Sequence, residues 1–242
     1  MKIAPIFKTT LAEDVPPGPQ GQPAHKKGAE VVISSVLDSK NLGRFGMVTP
    51  NPVFFYLNYA EQNIKEGQEL LKRINLSNKE WRMFGPTDTN PSDKFRDLNK
   101  DQLYSYFQKA ITVPIFLFTA IEAFANQLIP NHYVYHQRSK LFLWRIQKRV
   151  SKLEIERKFS TDKKLTAVLF ELKGKQIKTT SLWAQYRKLK NLRDELIHLK
   201  TREKQSVVAY NALLQELIDV NFISLFEATK KIMEYYIPDY FS

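Results

Sequence analysis

The 242-residue chain contains no cysteine, which excludes disulfides, thiolate nucleophiles and cysteine-ligated metals. Glycine is scarce at eight residues, and no glycine-rich phosphate loop, GKS/T element or nucleophile elbow is present, so P-loop nucleotide hydrolysis is not expected. No repeat period is found. The N-terminus lacks a charged region followed by an apolar run and a small-residue cleavage site, and with no cysteine a reducing cytoplasm fits best. The longest apolar stretch, Ile111 to Ile129, is interrupted by Pro114, Glu122, Asn126 and Gln127. A charge at a bilayer centre costs about 2.5–3.5 kcal/mol on insertion scales, so the stretch reads as a buried core helix and no membrane span is expected.

Acidic residues are also scarce in one place. From Arg138 to Lys204 there are 20 Lys+Arg against 7 Asp+Glu, whereas the rest of the chain has 17 against 18, so the net charge of +12 belongs to that segment. Such a segment attracts polyanions by neutralising phosphates and releasing counterions, which makes nucleic acid or an acidic protein the expected partner. Apolar residues reach 43% and aromatics 12%, enough for a substantial core.

Residues 1–50 read as an irregular N-terminal arm. Pro16-Pro17-Gly18-Pro19 and Gly21 to Pro23 break regular structure, and only Val31 to Val36 and Met47-Val48 suggest short strands, which could form a small β-hairpin. Residues 51–242 read as one all-α domain, a bundle of about five or six helices. Asn51 caps a first helix with Pro52 at its first position, running to Ile74. Ser77-x-x-Glu80 has the form of a capping box for a short helix around Trp81, and Gly85-Pro86 and Asn90-Pro91 mark a loop. A long apolar helix is predicted from an Asn99 cap to Gln127 with a kink at Pro114, then a basic amphipathic helix over Ser139 to Phe159. Further helices are expected over Thr161 to Lys173, stopped by Gly174, from Ser181 to near His198, and from Ser206 to Tyr236, ended by Pro238.

At roughly 100° per residue, Leu189, Leu192, Leu196 and Leu199 fall within an arc of about 80°, a core-facing stripe that Ile197 widens. Arg193 lies between that stripe and Ile197. A guanidinium starting from an apolar surface needs a partner, and Glu122 is the one acid in the apolar run of the central helix, so an Arg193–Glu122 pair is predicted. His198 lies about 140° from Arg193 but only about 40° from Asp194, which can orient the imidazole. A histidine that removes a proton from a ribose 2′-hydroxyl, beside a guanidinium that binds the scissile phosphate, can cleave RNA without a metal or cofactor. Because the two side chains diverge on one helix, a working site requires a distorted helix end or a second copy of the motif in a homodimer.

The run Asn191-Leu-Arg-Asp-Glu-Leu-Ile-His198, late in a helical chain and followed by one more long helix, resembles the Arg-x4–6-His signature of the HEPN superfamily. The resemblance implies a helical bundle, a dimeric composite site, metal-independent RNA cleavage and roles in toxin–antitoxin or defence systems with an antitoxin partner. Arg193, His198, Asp194 and Glu122 would form the catalytic group, and Lys148, Arg149, Lys152, Lys190 and Lys200 would guide the RNA backbone. The alternative is a non-catalytic helical module that holds nucleic acid or an acidic partner. His132 and His136, four apart, have a metal-compatible spacing, but Pro130 before them and the lack of a nearby acid favour ordinary polar histidines, as for His25 in the arm. Trp144, Trp183, Tyr186 and Tyr235-Tyr236 read as core before base-stacking groups.

Overall fold

A computed structural model describes residues 8–10, 26–27, 30–32, 34–41, 43–73, 93–141, 144–197 and 207–241. The chain divides into two compact units, Met1–Phe55 and Tyr56–Ser242. In the first, β1 (Lys8–Thr10) pairs antiparallel with β2 (Glu30–Val32), and β3 (Ser34–Ser39) with β4 (Gly43–Val48). The tight β3–β4 connection closes on Gly43 at φ 70°, a left-handed conformation that glycine adopts without a Cβ clash. The arm therefore holds two small two-stranded sheets.

Helix α1 (Pro52–Arg73) begins as its sequence dictates: the Asn51 side chain accepts from the Val53 amide at 3.0 Å, and Pro52 occupies the first helical position. The second unit is built around α2 (Asp93–Gln127), which starts six residues before the predicted Asn99 cap, so Asn99 lies inside the helix. Leu117, Ile121, Phe124 and Ala125 are fully buried. Tyr56 and Tyr59 of α1 rest their rings on Phe116 at 6.1 and 5.3 Å, and Gly67 of α1 lies beside the Tyr106 ring. Asp101–Gln127 is long and apolar enough to cross a membrane, and 44% of its apolar window is buried within the protein.

The predicted basic helix over Ser139 to Phe159 is corrected. Strands β5 (Val134–Leu141) and β6 (Trp144–Ser151) form an antiparallel hairpin, and only α3 (Lys152–Lys158) is helical. Tyr133, Val134, Tyr135, Trp144, Ile146 and Val150 are strand formers with a period-two rhythm, and a 3.6-residue reading of the same run competes with it. Ser151 then stops the strand: its side chain and Glu154 form a reciprocal capping box that starts α3.

Next come α4 (Thr161–Lys163), capped by Ser160, a π-helical turn (Lys164–Val168) and α5 (Leu169–Lys173), which ends at Gly174 with φ 68°. The predicted helix and its glycine stop are present, with a π turn inside. Helix α6 (Ser181–Ile197) includes Ser181 in its first turn. The predicted last helix is two: α7 (Val207–Asp219) and α8 (Phe222–Tyr236) break at Val220-Asn221, where the Asn221 side chain accepts from the Ser224 amide at 3.0 Å. Helix α2 packs against α6, α7 and α8, and α6 against α8. Two buried tyrosines cross-link these layers, Tyr106 donating to the Leu217 carbonyl at 2.7 Å and Tyr236 to that of Leu165 at 2.8 Å. Burial first, then the Asp219 charge, pushes the Tyr106 hydroxyl up to about 12, so it remains a donor. The capping box and loop expected over 77–91, together with His25, His198, Leu199 and Lys200, lie outside the described residues.

The π turn carries Lys164 fully into the interior, at 0% side-chain exposure. Its ammonium donates to Glu122 of α2 at 3.2 Å and to the Glu156 carbonyl of α3 at 3.1 Å. Replacing Glu122 by alanine leaves this buried cation on one carbonyl. The carboxylate is 39% exposed, so solvent screens part of the pair; the expected loss is ~2 kcal/mol, below the range of about 3–5 for fully buried pairs. A Lys164→Met/Glu122→Ala double variant should recover most of that loss in urea denaturation. Equal destabilisation in the double variant would contradict the account.

Candidate functional site

Glu122 is thus committed to Lys164, and the predicted Arg193–Glu122 pair is corrected. Arg193, on the last turn of α6, donates instead to the neighbouring Asp194 at 2.9 Å, and its guanidinium carbon lies 4.9 Å from the centre of the Phe118 ring. The Phe118 ring is 6.0 Å from Tyr186, which stacks on Trp183 at 4.9 Å. Three rings of α2 and α6 therefore form a column with the guanidinium at one end. Planar stacking satisfies an arginine without a buried acid, which explains why the core supplies none. Arg193 keeps 28% exposure. Leu189 and Leu192 are buried as the stripe requires, whereas Ile197 is 42% exposed and does not widen the core face.

A second cluster lies one and two turns earlier. Asp162, in the first turn of α4, accepts from Tyr186 at 2.5 Å, from Lys190 at 2.9 Å and from Arg187 at 3.4 Å. Lys190, predicted to guide RNA, is bound to this acid. Burial alone would raise the Asp162 carboxyl, but the hydrogen bonds of Tyr186 and Lys190 and the charges of Lys190 and Arg187 hold it below its ordinary value. Burial and that same carboxylate push the Tyr186 hydroxyl far up, fixing it as a donor. Nothing in the sequence pattern marks Asp162 as the hub; its Ser160 cap is the one local signal.

The remaining predicted residues separate. Lys152 donates to Asn131 at 2.9 Å and lies 3.7 Å from Glu156. Lys148 and Arg149 are exposed on β6, and His136 is exposed on β5, directly opposite Arg149. His132 lies in an exposed turn, and no group of three metal-capable side chains exists among the described residues. Of the aromatics, Tyr236 is buried, Trp183 and Tyr235 are half-buried, and the Trp144 side chain lies outside what is described.

The hairpin itself is the feature that sequence reasoning missed. Its ladder pairs His136 with Arg149, Arg138 with Gln147 and Lys140 with Arg145, and cross-strand partners share a face. By this register, positions 136, 138, 140, 145, 147 and 149 share one face of the ladder. The opposite face is turned to the body at its base: Val150 is buried, and the Tyr135 ring meets Phe159 edge-on at 5.5 Å. Lys163 fastens that base, with its ammonium 3.4 Å from the Phe159 ring centre and 3.2 Å from Gln137 Oε1. No acidic residue occurs between Glu122 and Glu154, so the ladder contains no internal counter-charge.

No protein-family model, curated protein or solved structure matches this chain.

Two expected outcomes follow from these geometries. Asp162 is depressed in the folded state, so its contribution is complete above the ordinary carboxylate value of 3.8 and is lost as pH falls below it. Asp162→Asn should be clearly less stable than wild type near pH 7, and the difference should shrink as pH is lowered below 3.8 in parallel urea titrations. Arg193→Ala forfeits a stacked, partly solvated cation and should cost only ~1 kcal/mol, with a cooperative transition retained. A loss as large as that from breaking a fully buried ion pair would restore the core-charge reading.

Proposed function

We propose that the protein binds nucleic acid through its phosphate backbone, with the β5–β6 hairpin as the principal contact. The observation that carries this reading is the hairpin register, which gathers Arg138, Lys140, Arg145 and Arg149 on one face of an acid-free ladder. Cations so placed release counterions on contact with a polyanion, a gain that needs no base recognition. The α6 cations contribute less, because Asp162 and Asp194 already offset Lys190, Arg187 and Arg193.

RNA cleavage of the HEPN type is the second reading, and one observation favours it. Arg193 is held by Asp194 and Phe118 with its side chain 28% exposed, and a phosphate-binding arginine five residues before His198 needs such access. In this reading a second copy of the chain completes the site, and Asp194 serves Arg193 rather than His198.

Fluorescence anisotropy with labelled RNA and DNA oligonucleotides tests the first reading. Arg149→Glu should weaken binding about tenfold and flatten the salt dependence by roughly one contact, whereas Lys188→Glu, an exposed change on α6, should have little effect. Unchanged affinity in Arg149→Glu would remove the hairpin from the interface. Incubating the same RNAs with wild type, His198→Ala and Arg193→Ala tests the second: cleavage by wild type alone supports it, and intact RNA throughout ends it.

A further inference from the structure

We infer that the ligand of the hairpin is double-stranded, and that a B-form duplex is preferred because its major groove admits the ribbon. This rests on the nucleic-acid reading above and narrows it to a substrate class. Single strands are held by aromatic platforms on which bases stack beside the cations. The charged face of the ladder offers none: its positions are Val134, His136, Arg138 and Lys140 on one strand and Arg145, Gln147, Arg149 and Ser151 on the other, with one imidazole as the sole ring. The aromatic positions Tyr135 and Trp144 belong to the opposite face, whose base is packed on the body.

What the charged face does offer is two parallel rows. Same-face positions recur about 6.8 Å apart along each strand, the strands lie roughly 5 Å apart, and eight residues extend about 26 Å. A ribbon of that width enters the B-form major groove, about 12 Å across, whereas the A-form major groove is deep and too narrow for side chains to read. The residue types suit that place. Arginine and lysine pair with the guanine edge and glutamine with the adenine edge, and Gln147 stands between the arginine positions. The arm is also carried as such a reader requires. Among the helices, α3 makes its main packing contact, and Lys163 with Phe159 clamps its base.

The full-length protein is titrated into four labelled probes of one 24-nucleotide sequence: the DNA duplex, the RNA duplex and each DNA strand alone. The DNA duplex should bind at least tenfold tighter than the single strands and tighter than the RNA duplex. Arg138→Glu/Arg145→Glu should abolish that margin while leaving the thermal melt unchanged. Should that pair disturb folding, Gln147→Ala, which removes no charge, serves instead: it should reduce discrimination among DNA duplexes of different sequence and leave the salt slope intact. Tighter binding of single strands or of the RNA duplex, still lost in Arg149→Glu, overturns this inference and leaves the nucleic-acid reading standing. Absence of salt-sensitive binding to all four probes overturns both.

Discussion

The ammonium of Lys164 is the point on which the arrangement of the second unit turns. It is fully buried, and its two partners come from different elements, the Glu122 carboxylate of α2 and the Glu156 carbonyl of α3. A buried charge with one partner removed is costly, so α2, α3 and the π turn are constrained to meet at one place. Position follows from that meeting. Helix α3 continues directly from β6, so fixing α3 fixes the base of the hairpin, while α4, which precedes the π turn, brings Asp162 against α6. Lys164 is the first residue of the π turn and follows directly on α4.

Much of the scaffold was legible. Asn51-Pro52 starts α1, Gly174 ends α5 in the left-handed conformation, and Leu189 and Leu192 face the core, because each signal acts through its immediate neighbours. What the sequence hid depends on choices between equal local readings. Residues 139–151 satisfy both a helical and an alternating period, and the cross-strand pairing that decides between them is not local. The break between α7 and α8 rests on one asparagine cap in a run that otherwise reads as continuous helix.

The candidate site was harder to read, because which acid serves which cation depends on tertiary placement. Helical angles correctly put Arg193 beside an apolar surface, and Glu122 was the evident acid in the central helix. The Lys163-Lys164 pair, by contrast, looks like an ordinary solvated face. Lys164 is nonetheless buried against Glu122, and Arg193 is satisfied by the Phe118 ring and by Asp194, one residue away. A guanidinium can be stabilised by a ring face; an ammonium deep in a core cannot dispense with an oxygen partner.

The excess charge of the segment from Arg138 to Lys204 therefore divides into two kinds. Several cations within the helical body are matched: Lys164 to Glu122, Arg187 and Lys190 to Asp162, Arg193 to Asp194. These pairs set geometry and add little net field. In the hairpin no acid lies between Glu122 and Glu154, and the ladder places cationic positions on one face. Like charges across a two-stranded ladder repel, so this arrangement weakens the ribbon it decorates. A ribbon clamped at its base by Lys163, Phe159 and Tyr135 tolerates that repulsion, and a polyanion lying against the face relieves it. The hairpin thus carries five of the chain's 37 Lys and Arg, with no acid on its ladder.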